Sequence, residues 1–96
     1  MYYRITHAKI QSEMYDQAMA TMKSIRDSFS EINGLLNSRL IRISETELVG
    51  IAAYESKELL EASQTQYDEL MGNMMPYLAG PPTVSHGNQV LAYDSE

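Results

Sequence analysis

An apolar run of small residues stops at Tyr54, and a helical pattern begins at Ser56, so one residue separates a strand from a helix. Nothing else in the chain restricts its fold as much. With almost no loop between them, the helix must return onto the sheet it left, because each element has one apolar face to bury. The rest of the 96 residues then has to give that strand neighbours and that helix a packing surface.

The remaining elements follow from period and punctuation. Tyr2 to Ile10 reads as a first strand, with Tyr3, Ile5, His7 and Lys9 on one face and Arg4, Thr6, Ala8 and Ile10 on the other. Ser12 is placed to cap a helix carrying the stripe Met14, Ala18, Met22, Ile25, Phe29 and Ile32. Asn33 and Gly34 stop it, since both tolerate left-handed backbone. Leu35 to Ser44 and Leu48 to Tyr54 form a hairpin around a polar turn. In the second of these strands Leu48, Gly50, Ala52 and Tyr54 share a face, and the small pair Gly50 and Ala52 leaves room there. Ser56 caps a second helix, weakened at Gly72 and ended or kinked at Pro76. Thr83 to Tyr93 reads as a last strand with a bulge or turn at Gly87 and Asn88, followed by a solvated tail, Asp94 to Glu96.

The order βαββαβ over one domain, 1–96, predicts an α+β, ferredoxin-like fold: a four-stranded antiparallel sheet with two helices on one face. The other face, with Ile5, Leu48 and part of the second strand, would then expose apolar surface in a monomer. A chain this short buries only about 60–65% of its unfolded surface, and it has no cysteine for a staple. Face-to-face dimerisation of two sheets is the economical solution, with a cavity between each sheet and its partner. A net charge of −6 argues against a nucleic-acid partner. No apolar run reaches the length of a membrane span, about 18 residues. The N-terminus lacks a continuous apolar stretch, so a cytoplasmic location is expected.

Three segments carry a resemblance to a known family: Asn33-Gly-Leu-Leu36, Ala53-Tyr-Glu-Ser-Lys-Glu-Leu-Leu-Glu-Ala62 and Pro76-Tyr-Leu-Ala-Gly-Pro-Pro82. With element order and length, they make the chain similar to the antibiotic biosynthesis monooxygenases, the dimeric α/β barrel proteins. The resemblance implies a homodimer with a cavity for a small aromatic, polyketide- or quinone-type molecule. It also implies oxidation without metal, flavin or haem, the substrate's own enolate or phenolate reacting with oxygen. The family often has Trp where Tyr54 stands and His where Ser63 stands. Its haem-degrading branch carries an Asn near the position of His7 and a His where this chain has Asn73.

Among residues able to carry chemistry, His7 is a candidate base, because a neutral imidazole titrates near neutral pH. Tyr54 is a candidate to hold a ligand oxygen and stack on a ring. Arg39, a permanent cation, could neutralise an enolate, or pair with Glu47 across the hairpin. Asn37 could donate to an oxyanion. Ser63 and Tyr67 lie on the inward stripe of the second helix and complete the expected substrate-binding set. His7 and His86 with scattered acids give no metal-ligand spacing, so no metal is expected. The alternative function is a non-catalytic dimeric module of the same fold that holds a small apolar molecule or regulates.

Overall fold

The computed structural model describes residues 1–95. Four strands, β1 (Tyr2–Lys9), β2 (Leu35–Ser44), β3 (Glu47–Tyr54) and β4 (Thr83–Asn88), form one antiparallel sheet in the order β2-β3-β1-β4. Helix α1 (Tyr15–Ile25) joins β1 to β2, and α2 (Lys57–Ala62) and α3 (Gln64–Met71) lie between β3 and β4. The architecture is the expected ferredoxin-like α+β arrangement. Among the described residues no helix is long and apolar enough to cross a membrane.

Two of the expected signals, Gly34 and Ser56, act where the sequence places them. Gly34 has φ +85°, and an added Cβ there would lie 2.6 Å from Leu59 Cβ, so this turn passes under α2 with no room for a side chain. Glu55 N–H then donates to the Gly34 carbonyl at 2.9 Å, tying the strand–helix joint to the turn before β2. Ser56 caps α2, its Oγ accepting from Leu59 N–H at 3.2 Å.

Three local expectations are corrected. Ser12 does not cap α1: it begins a 3-10 turn, Ser12–Met14, with Gln11 before it, and the α-helix proper starts at Tyr15. Gln11 spends its amide on the carbonyls of Pro76 and Leu78. The second helix breaks at Ser63 (φ −96°, ψ 5°) and runs out through a 3-10 segment, Gly72–Tyr77. The last strand stops at Asn88, which pairs with Tyr2 at the start of β1; one further bond, from Gln89 N–H to the Met1 carbonyl at 2.9 Å, ends the pairing. Residues 89–95 lack regular structure, and Val90, Leu91 and Tyr93 are almost fully exposed. The expected tail residue Glu96 lies outside the described residues.

The register settles which sheet face meets the helices. Arg4 pairs with Ala52, Thr6 with Gly50 and Ala8 with Leu48. Leu48 packs with Ile10, Ala18 and Met74, whereas Ala52 and Tyr54 pack with Ile32 and Leu60. The covered face is therefore that of Arg4, Leu48 and Tyr54. Leu48, expected on the open side, is buried under helices. Between the two clusters lie Gly50 and Thr6, and there the core is interrupted.

Candidate functional site

The interruption is a cavity of about 320 Å³, at the small end of the range usual for ligand sites. Thr6, Ala8 and Gly50 form its floor, with Leu40 and Val84 from the outer strands. Met22, Met71, Met74 and Met75, four of the seven methionines in the chain, line its wall together with Leu48, Leu78 and Pro82. Unbranched, polarisable side chains suit a wall that must fit a ligand of irregular outline. The cavity lies between sheet and helices of one chain. Gly50 and Thr6, whose small size opens the space, stand on the sheet face that the helices cover, whereas the expected cavity lies between the sheet and a partner's sheet.

Its polar equipment is one cation and its supports. Arg4, 1% exposed, sits at the wall. Its Nη1 donates to Tyr54 Oη at 2.8 Å and its Nη2 to Gln64 Oε1 at 2.7 Å. Its guanidinium carbon is 3.6 Å from the centroid of the Tyr67 ring and 5.2 Å from that of Tyr54. Gln64 Nε2 in turn donates to Asp68 Oδ1 at 2.8 Å. Arg4 Nε is buried without a partner. Burial pushes the Tyr54 phenol above its ordinary value, and the neighbouring Arg4 charge offsets part of that rise. Tyr54 is thus a neutral phenol near pH 7.

The six expected site residues divide between the two sides of the sheet. Tyr54, Ser63 and Tyr67 lie on the helix side. Tyr67 lines the cavity; Tyr54 and Ser63 are buried behind the wall. Ser63 Oγ donates to the Leu60 carbonyl at 3.1 Å, closing the last turn of α2. His7, Asn37 and Arg39 stand on the open face, as their pairing with Val49, Ala53 and Ile51 dictates, and all three are exposed. The structure therefore does not bring His7 and Tyr54 into one chamber; side chains at odd and even positions of a strand leave it in opposite directions. Arg39 donates to the Ser38 carbonyl at 3.1 Å rather than pairing with Glu47. Sequence reasoning missed Arg4 and Gln64. The available signal was a lone charge in the middle of the face formed by Thr6, Ala8 and Ile10. Among the described residues no three His, Asp or Glu side chains gather as metal ligands would.

No protein-family model matches this chain, and no curated protein matches it in sequence. Solved structures match in shape. One named an antibiotic biosynthesis monooxygenase superposes with a TM-score of 0.78 at 15% identity, covering 95% of this chain and 100% of the other. A monooxygenase of Streptomyces coelicolor, in complex with the ligand nanaomycin D, gives 0.80 at 16% identity, covering 99% and 92%. A protein of unknown function from Nitrosomonas europaea gives 0.80 at 11% identity, covering 99% and 94%. The chain has the fold of the antibiotic biosynthesis monooxygenases over essentially its whole length.

Proposed function

We propose that this chain, built on the antibiotic biosynthesis monooxygenase fold, takes a small aromatic molecule of polyketide or quinone type into the cavity between sheet and helices and oxidises it with molecular oxygen. The observation that carries the reading is the cavity itself: about 320 Å³, walled by methionine and closed at one side by Arg4. A fold neighbour that holds nanaomycin D supports the ligand class.

In this reading the substrate supplies the reactive electrons. An acidic ring CH₂ beside a carbonyl loses a proton to give an enolate, which Arg4 holds through its oxygen. Oxygen adds to that carbon, and the net change is CH₂ + O₂ → C=O + H₂O. Tyr54 fixes the guanidinium from behind and is a positioning residue. Tyr67 stacks on the guanidinium at the cavity wall. Asp68, the carboxylate among the lining residues, is exposed at the rim with one oxygen held by Gln64, and it is the acceptor for the substrate proton. The protein works as a homodimer whose open sheet faces, with Ile5, Ile41 and Ile51, cover one another; their apolar content supports that arrangement.

A second reading, a binding module without turnover, is favoured by one observation: His7, the imidazole expected as base, lies on the opposite side of the sheet. Incubation with an anthrone in an oxygen electrode separates the two. Oxygen uptake matched by quinone formation, reduced about a hundredfold or more in Asp68→Asn (the lower end of the worth of a general base), supports the oxygenase. Thermal stabilisation by the anthrone without uptake assigns the binding module. Neither stabilisation nor uptake rejects both.

A further inference from the structure

We propose that the occupant of this cavity is an organic monoanion, a carboxylate or phenolate on an apolar ring body, and that Arg4 is the group selecting its charge. The inference rests on the cavity being a small-molecule site and names the class of ligand it takes. Arg4 is 1% exposed, yet among the described residues no carboxylate lies within 4.0 Å of it. Its partners are a phenol, an amide and two aromatic rings, all formally neutral. A guanidinium does not give up its proton on burial, so the charge stays. A buried cation is tolerated when it is paired; here Asp68 is linked to it only through the Gln64 amide and is itself in solvent. The Nε proton has no acceptor at all. An anionic ligand in the adjoining cavity supplies both the missing charge and the missing acceptor. The methionine wall and the Tyr67 ring contact the remainder of the molecule, which is why that remainder is apolar.

The probes are 2-naphthoate, its neutral counterpart 2-naphthamide, and 2-naphthol, with binding followed by calorimetry. The native protein binds the naphthoate roughly 10- to 100-fold more tightly than the amide, the worth of one charge-assisted hydrogen bond. Gln64→Glu places a carboxylate where Gln64 Oε1 now accepts from Arg4, providing an internal counter-ion. It reduces that ratio to near one by weakening naphthoate far more than naphthamide. Arg4→Gln has the same effect on the ratio, and Gln64→Glu keeps the inference falsifiable should loss of Arg4 prevent folding. The naphthol distinguishes the two anions. A bound naphthol ionising at least one pH unit lower than free naphthol admits phenolates; an unshifted one restricts the site to carboxylates. Equal affinity for naphthoate and naphthamide, or a ratio that Gln64→Glu leaves untouched, overturns the inference while the cavity remains a ligand site. Failure of all three probes to bind overturns both.

Discussion

The guanidinium of Arg4 sits over the ring of Tyr67, its central carbon 3.6 Å from the ring centroid. The two residues are sixty-three positions apart in sequence, one in the middle of β1 and one in α3, and this contact joins the sheet to the helix layer at the edge of the cavity. The attraction of a desolvated cation for an aromatic face is worth about 2 kcal/mol. Tyr67→Leu keeps an apolar side chain there and removes the π face. It should cost about 1–2 kcal/mol in urea unfolding, without loss of the native circular dichroism. An unchanged unfolding midpoint would mean that the stack contributes nothing.

Tyr54 donates no charge, yet it holds Arg4 at 2.8 Å. Tyr54→Phe strands Nη1 and should destabilise the fold by about 1–3 kcal/mol near pH 7. Its pH dependence has a definite sign. The folded phenol ionises above the ordinary tyrosine value, so its stabilising contribution is complete below about pH 10 and is lost as pH rises through the higher folded value. Stability should therefore decline on the alkaline side. In Tyr54→Phe that part of the decline should vanish, as denaturant titrations between neutral pH and pH 11 would reveal.

Gly50 is the position at which the cavity can be closed with least disturbance. A Cβ added there meets Thr6 Cβ at 3.9 Å and Leu40 Cδ1 at 4.0 Å, which is ordinary contact. Gly50→Leu should fill the floor and hold or raise the melting temperature, since glycine within a strand is costly. It should also abolish binding of any naphthalene probe. Undiminished binding in a folded Gly50→Leu protein would place the ligand elsewhere.

Gly34 tests the strand–helix joint. Its φ of +85° and the 2.6 Å approach to Leu59 Cβ both exclude a side chain. Gly34→Ala should cost about 2 kcal/mol or more, measured by thermal unfolding. Gly80→Ala, where an added Cβ meets nothing within 4 Å, is the control and should be nearly silent.

Homodimerisation through the open face predicts a mass twice the 10.9 kDa of the chain in light scattering. Ile41, 44% exposed in the isolated chain, lies on that face. Ile41→Arg should shift the protein to monomer without unfolding it, because a desolvated unpaired cation at an apolar interface is strongly unfavourable. A monomeric native protein at micromolar concentration would remove the dimer.

Much of the fold was legible because its signals are local. Gly34 needed a left-handed turn, Ser56 needed only the amide three residues on, and the four-, three-residue rhythm of Ala18, Met22 and Ile25 marks one helix side whatever it packs against. The break at Ser63 was not legible: the helical stripe runs through it unbroken, and its Oγ bond to the Leu60 carbonyl is one that a serine in a continuous helix can also make. Nor was the end of β4, which depends on where its neighbour β1 runs out.

The candidate site divided along the same line. Tyr67 followed from helical spacing, whereas His7, Asn37 and Arg39 followed from a choice of sheet face that each strand alone leaves open. Local sequence determined which segments are strands and helices, their order, and which residues share a side, since period and turn chemistry act over a few residues. Only the assembled tertiary structure decided which side of the sheet the helices cover. Tyr3 and Ile5 make one face of β1 as apolar as Thr6, Ala8 and Ile10 make the other, so hydrophobic pattern does not choose between them. The choice comes from contacts across the chain: Leu48 with Ala18 and Met74, Tyr54 with Leu60, and the Arg4 guanidinium with a ring and an amide that only the folded helix layer brings to it.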